Sequence, residues 1–178
     1  MRLFVAVPLD EETRHRMAHL VRARVPIMPG APVSPQNWHL TLRFLGEVDE
    51  VALDRVRRSL DEADLGGAFP MAWGGLGAFP RPSRASVLWV GVARGEDRLA
   101  AVSMATEAAL AAAGFPPEDR PFRPHLTLSR IRPPADVRPV LRGEPLETVA
   151  MSVDRVTIYQ SRLGRGEATY SVVEEIGL

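Results

Sequence analysis

The chain contains no cysteine and no lysine. Without cysteine there is no disulfide, no thiolate nucleophile and no Cys-bound zinc. All 22 basic residues are arginine, which removes Schiff-base chemistry and any lysyl-nucleotide intermediate. Net charge is absent too: 22 acidic residues balance the 22 arginines. No global basic field therefore draws long nucleic acids to the molecule, and any contact with them must be local. No stretch approaches the roughly 18 apolar residues of a membrane span. The segment from Met1 to Val7 is too short for the apolar region of a signal peptide and runs into Pro8. A soluble cytoplasmic protein without a membrane partner is expected.

Several catalytic signatures are missing as well. Nothing resembles a nucleophile elbow. Gly74-Gly75-Leu76-Gly77 lacks the Lys and Ser or Thr that complete a phosphate loop, and reads as a strand distortion. There is no acidic cluster to hold magnesium. His15 and His19 have the i, i+4 spacing of metal ligands, but no third ligand is evident beside them, so an exposed helix face is expected.

With 178 residues, 46% of them apolar and 25% charged, the chain suits one core or two small lobes sharing one. Within it the tetrapeptide His-Leu-Thr-Leu occurs twice, at 39–42 and 125–128. On an extended strand, i and i+2 share a face, so His39 stands beside Thr41 and His125 beside Thr127. Leu40, Leu42, Leu126 and Leu128 then point into a core. The repetition extends further: Leu3-Phe4-Val5-Ala6-Val7 matches Leu88-Trp89-Val90-Gly91-Val92 in character, at an offset of 85 (88 minus 3), against 86 (125 minus 39) for the histidines.

The connecting segments fit a duplicated unit. Asp10 reads as the N-cap of a helix to about Arg24, with Met17, Leu20 and Val21 inward. Pro26, Pro29, Gly30, Pro32 and Pro35 form a stiff connection, not a domain linker. Asp49 can cap a helix that turns Leu53, Val56 and Leu60 inward and leaves Arg55, Arg57 and Arg58 on a solvated face, with Asp54 pairing to Arg58. A bulged strand follows over 69–79. After the second repeat's strand comes a long helix with Leu99, Val102, Thr106, Ala109, Leu110 and Ala113 inside, and Gly114 at its end. A short helix near 136–141 and two strands, 149–159 and 168–175, joined through Gly164 and Gly166, complete the pattern. The expected fold class is α+β: a single bilobal domain over 1–178, duplicated as approximately 1–80 and 86–178. Its two pseudo-symmetric lobes carry mainly antiparallel sheets around a central cleft, with helices outside.

Lobes related in this way bring His39 and His125 face to face, each with a threonine beside it. A histidine, with a reference pKa near 6.5, can accept or donate a proton at neutral pH, so the pair can act as acid and base. The threonine hydroxyls are neutral donors suited to phosphate oxygens. A lone histidine on a strand is more often structural, but core packing has no need of a polar His and Thr in both copies.

The paired tetrapeptides, the opening Arg-Leu-Phe-Val-Ala-Val, the run Phe44-Leu45-Gly46-Glu47-Val48 and Phe122-Arg123-Pro124-His125 resemble the RNA 2′,3′-cyclic phosphodiesterases. These have long been called 2′-5′ RNA ligases and belong to the 2H phosphoesterase superfamily. The resemblance spans nearly the whole chain. It implies hydrolysis of terminal RNA 2′,3′-cyclic phosphates to 2′-phosphomonoesters without metal or other cofactor. It also implies His39 as proton donor, His125 as proton acceptor, and Thr41, Thr127 and Arg130 as phosphate ligands. Phe44 matches an aromatic that can stack on the terminal base. Strict alternation puts Arg130 on the wrong face unless the strand bulges; Arg43 shares the histidine face and is the substitute substrate contact. Trp38 and Phe122 are core or rim candidates.

Partners implied are RNA ends or nucleotides with a 2′,3′-cyclic phosphate, approached by a monomer. Two alternatives stand beside this reading. The reverse chemistry would join tRNA halves through a 2′-5′ bond, and a non-catalytic module would bind RNA ends or nucleotides without turning them over.

Overall fold

Two aspartates start the first two helices. The Asp10 carboxylate accepts the Thr13 backbone N–H at 2.7 Å and begins α1, Glu11–Arg24. Asp49 accepts the Ala52 N–H at 2.7 Å and begins α2, Glu50–Asp61. Each such cap contributes about 1 kcal/mol. The long α3, Glu96–Ala112, stops where Gly114 adopts φ +95° and Phe115 N–H reaches back to the Leu110 carbonyl at 2.9 Å, closing a Schellman turn. One further turn, α4, covers Arg138–Leu141. The computed structural model describes residues 1–164 and 166–178. Among these, no helix is long and apolar enough to cross a membrane.

The strands are β1 (Arg2–Pro8), β2 (Ala31–Pro32), β3 (His39–Glu47), β4 (Phe69–Phe79), β5 (Ala85–Arg94), β6 (Leu126–Ala135), β7 (Val149–Val153), β8 (Arg155–Arg162) and β9 (Thr169–Gly177). They form one curled antiparallel sheet in the order β7-β4-β5-β6-β3-β1-β8-β9, with β2 beside β6. The expected α+β class holds. The repeated strand–helix–strand units, β1-α1-β3 and β5-α3-β6, supply the centre of the sheet.

Two expectations need correction. The strand anticipated from 149 to 159 is two strands broken at Asp154, because β7 pairs with β4 while β8 pairs with β1 on the other side of the sheet. The same choice of partners interleaves the two repeats in the sheet. β4, from the first repeat, lies between β5 and β7 of the second, and β8 and β9 extend the first repeat beyond β1. Each half of the sheet borrows strands from the other, which makes one continuous structure of the two repeats. On α2, Asp54 pairs with Arg57 at 3.3 Å rather than with Arg58, and Arg57 also reaches Glu174 of β9 at 3.2 Å. The i, i+3 partner wins because it joins an acid on the neighbouring strand.

One face of the sheet packs on the helices. Leu3, Val5 and Val7 of β1 and Leu88 and Val90 of β5 join Met17 and Val21 of α1, Leu53, Val56 and Leu60 of α2, and Leu99, Val102 and Leu110 of α3 in a single core. Each such side chain contributes about 1.5–3 kcal/mol by leaving water. The alternate residues, Phe4 and Trp89, face the opposite side, where the sheet curls around a cleft.

Candidate active site

The two halves of the sheet meet where Leu40 of β3 pairs with Leu126 of β6. An antiparallel register carried one residue either way sets His39 opposite Thr127 and Thr41 opposite His125. Both leucines are fully buried, so the four polar side chains are raised on the other face, where all four line one cleft of about 1190 Å³. The doubled motif therefore converges as the sequence predicts.

A β-bulge in each copy decides which residues follow the histidine and threonine into the cleft. Opposite β1, Ala6 pairs with Thr41 and Val5 with Arg43, so Leu42 is the extra residue. Opposite β5, Trp89 pairs with Thr127 and Leu88 with Ser129, so Leu128 is extra. Each bulge reverses the alternation beyond it. Leu42 and Arg43, like Leu128 and Ser129, are buried, and the next residues, Phe44 and Arg130, emerge on the cleft side.

Arg130 thus lines the cleft beside the histidines, as the resemblance requires. Arg43 does not, and its expected substrate contact is overturned. Its guanidinium turns to the helix side, forms an ion pair with Glu107 of α3 at 2.9 Å and donates to the Pro116 carbonyl. Phe44 is 56% exposed and lies 5.7 Å from the Phe4 ring, so it presents a face for stacking. Trp38 is a core residue whose indole N–H donates to the Val33 carbonyl, and Phe122 packs at the core's edge. His15 and His19 are exposed on α1, and among the described residues no group of three His, Cys, Asp or Glu is placed to hold a metal ion.

The histidines are held alike. His39 Nδ1 lies 2.8 Å from the Asn37 carbonyl oxygen, and His125 Nδ1 lies 2.6 Å from that of Arg123. A carbonyl only accepts, so Nδ1 carries the proton and donates, leaving Nε2 with its lone pair for the cleft. Aromatic rings surround each imidazole. Phe4 lies 4.7 Å and Tyr170 5.2 Å from His39, and Phe79 lies 5.0 Å and Trp89 6.3 Å from His125. Burial pushes the His39 pKa down to about 4, against the pull of the Asn37 carbonyl and with help from the Arg130 and His125 charges. Burial lowers His125 as well, again opposed by its carbonyl partner and aided by Arg130.

Sequence reasoning missed these rings and the carbonyl anchors. Phe4 and Trp89 carried a signal, since they occupy matched places in the repeat and alternate with core residues. Tyr159, stacked on Phe4 at 5.3 Å, and Tyr170 carried none, because they arrive from β8 and β9, outside the repeated unit.

Comparison with known proteins agrees with this geometry. Residues 7–89 and 90–170 both match the family described as LigT like phosphoesterase. The RNA 2′,3′-cyclic phosphodiesterase of Aeropyrum pernix is 35% identical over 153 residues, 84% of this chain and 86% of that protein. The protein of the same name from Thermus thermophilus is 37% identical over 188 residues, covering 100% of this chain and 90% of its own. A crystal structure of Escherichia coli LigT complexed with 3′-AMP superposes with a TM-score of 0.84 at 27% identity, covering 99% of this chain and 97% of that one. Two family matches that together cover residues 7–170, and relatives above 30% identity over most of their length, establish that this chain belongs to the LigT-like phosphoesterases.

Proposed function

We propose that the cleft hydrolyses terminal 2′,3′-cyclic phosphates of RNA to 2′-phosphomonoesters. One observation carries the reading: two imidazoles, each with Nδ1 tied to a carbonyl and Nε2 free, stand diagonally across one cleft with a threonine beside each. The names of the relatives and the 3′-AMP complex of the Escherichia coli protein support a nucleotide-derived substrate.

In this mechanism water attacks phosphorus from the His125 side and gives its proton to Nε2. The new P–O bond forms as the bond to O3′ breaks, and His39 delivers a proton from its Nε2 to the leaving O3′. Thr41 and Thr127 donate to the non-bridging oxygens and Arg130 offsets the charge that grows on them. The assignment of acid and base follows the resemblance. Burial keeps both imidazoles neutral in the empty cleft, and the bound phosphodiester anion favours the protonated form, so the acid is charged as substrate binds. Phe44 stacks on the terminal base. The reaction needs no metal ion to generate its nucleophile.

The test is hydrolysis of a 2′,3′-cyclic nucleoside monophosphate with and without chelator, the product's phosphate being located by NMR. Chelator-insensitive release of the 2′-phosphate is expected. Recovery of the 3′-phosphate would overturn the leaving group, and loss of turnover with chelator would overturn the metal-free mechanism.

A further inference from the structure

The carbonyl that holds His39 belongs to a segment too short to hold itself. Pro35–Asn37 forms a single 3₁₀ turn after Ser34, with no side-chain cap to start it. A lone turn of this kind is weak, because its hydrogen-bond geometry is poorer than that of an α-helix. Two bonds from the β8–β9 hairpin reach it from the far end of the chain. The Glu167 carboxylate accepts the Ser34 backbone N–H at 2.9 Å, and the Asn37 side-chain amide donates to the Ala168 carbonyl at 2.7 Å. Both partners lie in the connection between Arg162 of β8 and Thr169 of β9.

Asn37 therefore bonds in two directions. Its main-chain carbonyl accepts the His39 Nδ1 proton at 2.8 Å, while its side chain is tied to the hairpin. The same hairpin touches His39 again, since Tyr170 packs edge-on to the imidazole with ring centroids 5.2 Å apart. His125 has no such support. Arg123 supplies its carbonyl, and among the described residues Arg123 forms no other hydrogen bond; its guanidinium lies over the Phe79 ring, 6.0 Å from the centroid. Burial raises the Glu167 carboxyl, but bonds from Asn37 and Ser34 outweigh it and hold the group below its ordinary range, so the acceptor is charged at neutral pH.

We propose that Asn37 and Glu167 are positioning residues for His39: by fixing the 34–37 turn to the β8–β9 hairpin, they aim the Asn37 carbonyl at Nδ1 and so keep Nε2 turned to the reacting phosphate. This rests on the cyclic phosphodiesterase reading and adds to it two residues that act through the imidazole. Without a fixed carbonyl the ring loses both its tautomer and its angle, and misplacing a reacting group by about 1 Å can cost about 10²-fold in rate. Only the His39 half of the site is steadied in this way, so two imidazoles with like anchors differ in what holds the anchor.

The experiment records proton–nitrogen NMR spectra of the imidazoles in the substrate-free protein at neutral pH, with kcat and KM for a cyclic mononucleotide, in the wild type, Asn37→Ala, Glu167→Ala and Glu167→Gln. In the wild type both rings are expected to carry the proton on Nδ1. In Asn37→Ala and Glu167→Ala, His39 alone should shift towards the Nε2–H tautomer, and kcat should fall by about 10–100-fold while KM changes little. Glu167→Gln keeps an oxygen for the Ser34 N–H and should retain the wild-type tautomer. Glu167 is exposed, so its removal leaves the core intact and decides the matter even where Asn37→Ala does not fold. An unchanged His39 tautomer in Glu167→Ala, an equal change at His125, or an unchanged kcat would each overturn the proposal. A wild type that does not hydrolyse the substrate, although the His39 tautomer responds as expected, would overturn the cyclic phosphodiesterase reading instead, so the two failures are distinguishable.

Discussion

Phe4 and His39 stack with ring centroids 4.7 Å apart and planes inclined by 35°. Phe4 is the cleft-facing residue of a strand whose neighbours Leu3 and Val5 are wholly in the core, so the ring cannot move without the sheet. Water is kept from one side of the imidazole, which is what holds its pKa near 4.

This lowered pKa sets an expected pH profile. kcat/KM reports the free protein, in which both histidines titrate below their ordinary 6.5. The optimum of kcat/KM on a cyclic mononucleotide should therefore lie between pH 4 and 6.5 and fall about tenfold per unit above it. The optimum of kcat, which reports the complex, should lie higher, because the bound anion raises both imidazoles. A kcat/KM that stays flat from pH 6.5 to 8.5 would rule this out.

Stability carries the same signature. The folded pKa of His39 is below its unfolded value, so the unfolded chain binds the extra proton between pH 4 and 6.5. The stabilisation is complete above pH 6.5 and is lost as pH falls towards 4, by about 3 kcal/mol in all. Urea titrations at pH 7.5 and 4.5 should show a larger drop for the wild type than for His39→Gln. An equal drop in both would show that His39 does not titrate in this window.

In the proposed mechanism both imidazoles act in one transition state. His39→Ala and His125→Ala should each lower kcat by about 10²–10⁴-fold, and the double variant should lose little more than the worse single. Single-turnover rates on a cyclic mononucleotide measure this. Multiplicative losses would show that the two residues work in separate steps.

Much of this site is legible in the sequence, and the limits are physical. A period of two identifies His39, Thr41, His125 and Thr127 because polar residues repeat at matched places among core leucines. Beyond the threonines, the same period assigns Arg43 to the cleft and Arg130 away from it, and there the structure reverses it. The bulges at Leu42 and Leu128 each add a residue without any glycine or proline to announce it. Sheet order was hidden for a different reason. Which edge β4 or β8 joins depends on partners far away in the chain, and local pattern does not encode that choice.

Gly77 illustrates a fit that composition conceals. A Cβ there would lie 2.2 Å from the Trp89 ring, whose centroid is 6.3 Å from that of His125. Gly77→Ala should push the indole towards the imidazole and lower kcat more than it raises KM. A crystal structure of the variant with Trp89 unmoved, together with unchanged kcat, would contradict this.

The ion pair of Arg43 and Glu107 explains why the first bulge keeps its shape. Arg43 is 8% exposed, and its guanidinium joins β3 both to α3 and to the Pro116 carbonyl of the segment after it. The bulge that buries Arg43 is the one that swings Phe44 out, so the ion pair on one face holds the stacking ring on the other. Removing the carboxylate leaves a cation in the protein with its solvation unreplaced. Because Glu107 keeps 27% of its side-chain surface, the loss for Glu107→Leu should fall near the lower end of the range for buried pairs, at about 3 kcal/mol. Arg43→Met should cost less, since the freed carboxylate can turn to water, and Arg43→Met/Glu107→Leu should recover part of the loss. In Arg43→Met the KM for a cyclic nucleotide should rise severalfold while kcat changes little, because in the proposed mechanism Phe44 meets the base and not the phosphorus. Urea denaturation and steady-state kinetics on the three variants separate the two effects. An unchanged KM in a destabilised Arg43→Met would show that the bulge holds Phe44 without the ion pair beneath it.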